Sequence, residues 1–490
     1  MCLFLAKKLF KFIKVTYMRK VTILLFIMLF AGNRVAAQQS KGENISTMQG
    51  EVIFDDPLPR NWSDGTYFSQ TLPVDDEWWR NFNDPVLDSL IAVAGDNNNS
   101  VLAAMENIKK ARAAWRAAQS NLMPQFDLGL GWQRAKTSGN IASTLYNEAW
   151  EGEFSTAVSM QWQADVFGSI YMRSKAQKKL FMATEEEYNA VMVSLVANVA
   201  TTYFSLRQSL AQMQVLRWNA ESQKEIMNIV VSRFDSGLAS KLDVAQARSV
   251  YYSTKAQIPT MQATIDGYRY TMAVLLGTYP EELDGWLSEG YALPTYTAPI
   301  GVGIPADLLR RRPDIRTAER QVEANAALLG ATKRDWFPQL LVSGTIGFQS
   351  GEMKTLFRSR SLTWEIAPTI KWNIFGGGDR VNATREARAA LDASILDFNG
   401  KMLTALQEVE SAMSQYENSI SQIVALREAV NQNQETLTLS LELYKQGLTQ
   451  FQNVLDAQRT LLTYQNYLVQ ALGGSLIYLV QLYEALGGGW

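Results

Sequence analysis

Hydrophobic and polar positions in this chain follow two periods, and the order of those periods is written twice. In the first copy Phe126, Leu128, Leu130 and Trp132 alternate with Asp127, Gly129, Gly131 and Gln133, the two-residue period of a strand. Val158, Met160, Trp162, Ala164 and Val166 then alternate with Ser159, Gln161, Gln163 and Asp165. In the second copy Leu340, Val342, Ile346 and Phe348 oppose Ser343, Thr345 and Gln349; Trp364, Ile366, Ile370, Trp372 and Ile374 oppose Glu365, Thr369, Lys371 and Asn373. The predicted strands are 126–134, 154–167, 339–349 and 361–375.

After each pair the period becomes helical. Ser169–Asp235 and Asp379–Lys445 each run 67 residues without Pro, about 100 Å as helix. In the second of these, Leu391, Ile395, Phe398, Met402, Val409, Met413, Tyr416 and Ile423 belong to an apolar series that recurs about every 3.5 residues, a spacing that favours left-handed coiled packing. The opposite face is Gln, Asn, Ser and Glu; such a face is simply solvated in most proteins, and in a closed ring of helices it lines a water-filled bore. Shorter helices are predicted at 97–121, 241–277, 313–336 and 450–486, and end to end two of them nearly match one long helix. Pro259 should kink the second of them. Gly237 and Gly447, like Trp162 and Trp372, lie 210 positions apart, so the chain divides into repeats 76–303 and 304–490.

Composition narrows the function. No Pro, Gly or Ser-rich linker parts the halves, so they read as one elongated unit. There is no His, and the only Cys is Cys2, which removes the usual general base and leaves no metal-ligand spacing; no catalytic residue, cofactor or metal site is expected. Residues 1–37 carry seven Lys/Arg and no acid, leaving 39 bases against 48 acids beyond them, a balance that argues against nucleic acid. That same segment reads as an export signal, with an apolar run Val21–Ala31 and small residues Val35 and Ala37 before Gln38. The start is Met1 or Met18, and no Cys follows the apolar run to carry a lipid anchor. Residues 38–75 read as an extended arm on the body. No later segment is read as an uncharged apolar run of spanning length, so membrane contact falls to the strands.

Strands with apolar and aromatic residues on one side and polar or Gly residues on the other carry the signature of a transmembrane barrel. A soluble half-buried sheet gives the same alternation; export and the strand Trp residues favour the barrel. Four strands cannot close, and open edges do not survive in lipid, so an oligomer must share the barrel. Trp78–Trp79 and the basic run Arg310–Arg312 before Pro313 read as packing and structural features.

The chain closely resembles the TolC-like outer-membrane factor family, in its OprM/NodT branch. The residues that carry the resemblance are Trp78-Trp79 with Asp84-Pro85, Leu308–Ile315 (LLRRRPDI), Glu319-Arg320, Phe337-Pro338, Phe375–Gly378, Glu408–Glu410 and Leu455–Arg459. The resemblance implies a mixed α/β membrane protein: a homotrimer whose four strands per chain make one transmembrane β-barrel in outer-membrane lipid, continued by a long periplasmic α-helical barrel. It implies as partners a periplasmic adaptor (a membrane fusion protein) and a resistance-nodulation-division pump of the inner membrane, for which the duct passively conducts small molecules. Many members of this branch are lipoproteins, a pattern from which this chain departs. A duct for type I protein secretion, a diffusion porin and a non-pore coiled-coil scaffold are the competing readings; a porin would spend its residues on strands, and a scaffold would not need lipid-facing Trp.

By the same resemblance the periplasmic mouth lies where the long helices turn back, at Gly237-Leu238 and Gly447-Leu448, where the adaptor docks. Acids at the positions of Asp243, Asn453 and Asp456 ring the closed aperture in the family, and a Tyr at the position of Tyr444 helps latch neighbouring helices. Asn453 departs from the acidic pattern, and Thr449 stands where some members have Arg. Against these roles, Ser240 and Asp243 also form a capping-box pattern, and Asp456 is spaced to pair with Arg459.

Overall fold

The computed structural model describes residues 61–62, 67–136, 150–283 and 292–489, all within one unit, Pro59–Trp490. The expected export signal, the arm up to residue 60 and the polar loop 137–149 lie outside the described residues. The described end of the arm contributes strand β1 (Phe68–Ser69), parallel to β4 (Ile300–Gly301), and Trp62 Nε1 donates to the Val302 carbonyl (3.2 Å).

Beyond the arm the first repeat contains α1 (Pro85–Asn97), α2 (Asn99–Ser120), β2 (Gln125–Lys136), β3 (Trp150–Ala164), α3 (Ser169–Asp235) and α4 (Lys241–Leu276). The second contains α5 (Pro305–Arg311), α6 (Pro313–Arg334), β5 (Gln339–Ser350), β6 (Leu362–Lys371), α7 (Asp379–Lys445) and α8 (Phe451–Ala485). Helix α4 runs on through Pro259. Both long helices occupy the predicted residues. In α7 Leu391, Phe398, Met402, Val409, Met413, Tyr416 and Ile423 are buried, so the apolar series is the packed face.

Two strands end earlier than their alternation suggests. The pattern in β3 continues to Phe167, yet the strand stops at Ala164 because the Asp165 carboxylate accepts from the N–H groups of Ile170 (3.0 Å) and Tyr171 (2.6 Å) and begins α3. Likewise β6 ends at Lys371, and Trp372, just beyond the ladder, donates its indole N–H to the Trp336 carbonyl (3.0 Å). Its counterpart Trp162 makes the same bond to the Leu122 carbonyl (2.9 Å). The expectation that no segment after the export signal is long and apolar enough to span is corrected as well. Helix α3 contains one such 18-residue window, half of it buried within the protein. Val193, Val196, Val199, Tyr203 and Phe204 there are core residues, so the run reflects a helix packed on several sides.

Helix α3 packs against α2 and α4 on one side and α6 and α8 on the other, and α7 packs against α6 and α8. The short helices therefore meet end to end along the long ones, and each joint is bonded. At the first, Asn98 caps α2 by accepting from Ser100 N–H (2.8 Å) and Val101 N–H (3.3 Å), while its Nδ2 donates to the Leu275 carbonyl at the end of α4 (2.9 Å). Gly277 is left-handed here (φ 66°), and a Cβ on it would lie 2.3 Å from the Asn97 carbonyl oxygen. At the second joint Arg312, preceding α6, donates to the Ala485 carbonyl at the end of α8 (2.9 Å). Asn98→Ala is expected to cost about 1–2 kcal/mol in thermal unfolding followed by far-UV dichroism, and Asn98→Asp, which keeps the cap but not the donor, less.

The second joint is charged. Arg312 is buried and also donates to Glu408 (2.6 Å) and Asp314 (2.8 Å). A cavity of about 440 Å³, lined in part by Gln407, Ser411 and Glu484, opens beside it. Burial pushes the Asp314 carboxyl up, but the hydrogen bond and charge of Arg312 outweigh it and hold the group below the ordinary range. Burial raises Glu484. The aromatic pair behaves as packing: Trp78 is buried and stacks on Tyr483 (5.1 Å, 2° between planes).

Candidate functional site

Strands β2, β3, β5 and β6 form one antiparallel four-stranded sheet in that order. Its register sorts the two faces. One row joins Leu128, Val158, Ile346 and Trp364; the row beside it joins Asp127, Ser159, Thr345 and Glu365 on the other face. The apolar face is bare: Leu128, Leu130, Trp364, Ile366 and Ile370 are each 67–78% exposed. A soluble half-buried sheet would cover that face with a second layer, and nothing among the described residues does so. The outer edges of β2 and β6 have no strand partner among the described residues. A lipid-facing sheet with open edges is a segment of a shared barrel.

At the far end of the long helices two matching turns reverse the chain. Gly237 (φ 77°) and Gly447 (φ 78°) are left-handed. Leu238 N–H bonds the Arg233 carbonyl (2.8 Å), and Leu448 N–H bonds the Leu443 carbonyl (2.9 Å). Gly237, Leu238, Gly447 and Leu448 are all exposed. Behind the turns Ile226, Val230, Val244, Leu437, Tyr444, Phe451, Val454 and Leu455 join α3, α4, α7 and α8 in one core.

The expected aperture residues divide. Asp243 is held in the capping box: Ser240 Oγ accepts from Asp243 N–H (3.1 Å), and Ser240 N–H donates to Asp243 Oδ2 (3.0 Å). Asn453 donates to Thr449 Oγ1 (2.6 Å), and Asp456 accepts from Gln452 Nε2 (3.0 Å). Both are exposed. The spacing to Arg459 does not produce an ion pair for Asp456 among the described residues.

Tyr444 is buried, its ring 5.2 Å from Phe451, and its hydroxyl has no hydrogen-bond partner among the described residues. Asp243 lies close enough to act on it by charge: burial raises the Tyr444 pKa, Asp243 adds to the rise and Arg233 opposes it. Arg233 is the residue that the sequence reading missed. Its guanidinium lies over the Tyr444 ring (5.0 Å to the centroid), and Nη1 donates to the Lys445 carbonyl at the end of α7 (2.6 Å). One signal was available: the repeat places Leu443 opposite Arg233, an apolar residue against a cation beside otherwise matched turns.

A bare apolar sheet face with a polar reverse, open edges and long helices leaving one end defines a subunit of an outer-membrane channel. The chain belongs to the outer membrane efflux protein family, whose profile matches it twice, at residues 90–278 and 304–488, once per repeat. It is 30% identical over 446 residues to the probable efflux pump outer membrane protein SepC of Pseudomonas putida, covering 89% of this chain and 92% of that one. The toluene efflux pump outer membrane protein TtgF, from another strain of P. putida, matches at the same identity and coverage. Among solved structures the outer-membrane channel OprN superposes with a TM-score of 0.83 at 28% identity, covering 89% of this chain and 98% of that one. The protein is therefore an outer-membrane efflux channel with its helices extending into the periplasm. This is a family of transport proteins.

Proposed function

We propose that three copies close one barrel, the β6 edge of each pairing with the β2 edge of the next. The assembly is the exit duct of a tripartite system, passively conducting small toxic molecules that a resistance-nodulation-division pump delivers through a periplasmic adaptor. The observation that carries this reading is the four-stranded sheet with a bare apolar face and two open edges. A second line agrees with it. Leu396, Leu403, Val424 and Leu439 of α7 are exposed by 52–70%, as are Tyr252, Tyr270 and Val274 of α4 by 57–75%. These helices flank opposite sides of the packed series, so a neighbouring copy buries both. The names of SepC and TtgF, an efflux component and a toluene efflux component, support small molecules as cargo.

In this reading the turns at Gly237-Leu238 and Gly447-Leu448 meet the adaptor, and Asp243, Tyr444, Asn453 and Asp456 surround the periplasmic aperture. Light scattering corrected for detergent should report three copies, and a stable monomer would sink the shared barrel. Deleting the gene should sensitise cells to chemically diverse toxic compounds. Lost protein secretion with unchanged sensitivity would instead make the duct one for type I export.

A further inference from the structure

The connection between β5 and β6, residues 351–361, lies at the end of the sheet opposite all the helices, since α2 and α6 lead into β2 and β5 while β3 and β6 lead out to α3 and α7. With the helices in the periplasm, this hairpin faces the cell exterior. It is a folded unit: Leu356 is 4% exposed, Ser350 and Thr355 share a hydroxyl hydrogen bond (2.5 Å), and Ser361 Oγ donates to the Thr355 carbonyl (2.8 Å).

Two kinds of exposed residue mark it. Phe357, 69% exposed, packs edge-on against Phe348 (5.6 Å, 64° between planes). Phe348 stands in the register row of Leu362, Thr156 and Leu130, on the lipid-facing side. Met353 is also bare, at 61%. Lys354, Arg358 and Arg360 are exposed, against the single acid Glu352, and none of the three is in an ion pair among the described residues. The hairpin thus sets an aromatic ring at the rim of the apolar band and carries three exposed cations in the same connection, where headgroups begin.

We propose that this hairpin is a docking foot for phosphorylated lipid of the outer leaflet, Lys354, Arg358 and Arg360 taking the phosphates while Phe357 and Met353 enter the acyl margin. Guanidinium groups match phosphate oxygens in paired hydrogen bonds, and charge complementarity separates this occupant from a neutral lipid. The inference rests on the outer-membrane orientation and goes beyond the duct reading; it is tested on purified protein without pump or adaptor.

The full-length protein in neutral detergent is titrated with diphosphoryl lipid A, and retained lipid is counted by native mass spectrometry. The triple variant Lys354→Gln/Arg358→Gln/Arg360→Gln should bind roughly 100-fold more weakly, about fivefold per cation removed. Arg358→Gln alone, the safer variant for folding, should lose about fivefold. Wild-type protein should bind the dephosphorylated lipid as weakly as the triple variant binds the phosphorylated one. Phe357→Ser should weaken binding severalfold, and millimolar inorganic phosphate should fail to displace the lipid. Unchanged affinity in the charge variants overturns the proposal, as do equal binding of the two lipids and full displacement by inorganic phosphate. Lys109→Gln/Lys110→Gln, on the exposed surface of α2, should leave affinity unchanged; an equal loss there would mean nonspecific charge and would also overturn it.

Discussion

Arg312→Ala is expected to destabilise the folded chain by about 3 kcal/mol, the low end for a buried ion pair that loses one partner. The low end applies because Asp314 and Glu408 are 42% and 43% exposed and can be rehydrated when their cation is removed, whereas the Arg312 side chain is 10% exposed. The substitution also strips the Ala485 carbonyl of its donor, so the joint between α8 and α6 opens. The loss should depend on pH. In the wild type the Asp314 carboxyl is held low, so its contribution is present above its unfolded pKa and fades as pH falls through the folded value. Glu484 is raised, so protonating it favours the folded state, and that contribution is lost as pH rises through its folded pKa. Without Arg312 the Asp314 carboxyl loses what holds it low and Glu484 rises further, so both are penalised most when ionised. The gap between wild type and variant should be widest near neutrality and narrow as pH falls, first as the raised Glu484 protonates and last as pH passes through the lowered folded pKa of Asp314. Guanidinium unfolding across that range tests the sign. A gap that is constant with pH would assign the loss to packing, and a double-mutant cycle with Glu408→Gln would then show no coupling.

The sequence and the structure agree wherever a period is long and uninterrupted. The 67-residue helices carry their own boundaries, with Gly at each end, and in α7 the apolar series stays in phase for most of the length. The strand faces are equally plain, because a period of two leaves each residue one choice of side. Strand ends are less legible, since the alternation runs on through Asp165 and Trp372, whose side chains bond backbone outside the strands, at Ile170 and Trp336. The uncharged stretch of α3 escaped notice for a different reason: burial on several sides of a helix removes the amphipathic signature. Arg312 drew attention as part of a basic run before Pro313, but its bonds to Glu408 and the Ala485 carbonyl span 96 and 173 positions, which no local spacing encodes. At the tip the named residues are individually visible, and what pairs with what is not. Asp243 serves its own helix end, while Tyr444 is met by a cation from the other repeat.

That pairing changes which substitution should open the tip. The hydroxyl of Tyr444 has no hydrogen-bond partner among the described residues, so Tyr444→Phe keeps the ring under Arg233 and should leave single-channel conductance close to wild type. Arg233→Ala removes both the cation over the ring and the charged donor on the Lys445 carbonyl. A partly exposed cation–π contact and a charge-assisted hydrogen bond at a helix C-terminus together stabilise the tie between α3 and α7 by about 2 kcal/mol, which shifts an opening equilibrium on the order of tenfold or more per chain. Arg233→Lys, which keeps the charge but not the planar fork, should fall between. Combining Tyr444→Phe with Asp243→Ala raises conductance only through loss of the Ser240 cap, so Ser240→Ala should reproduce its effect. Asp456→Ala acts differently: exposed and bonded to a neighbouring Gln on its own helix, it should lower cation selectivity without enlarging conductance. Planar-bilayer recordings on the purified assembly separate these outcomes. A large rise with Tyr444→Phe and none with Arg233→Ala would place the latch on the hydroxyl, contrary to the geometry. Unchanged selectivity in Asp456→Ala would remove that carboxylate from the aperture.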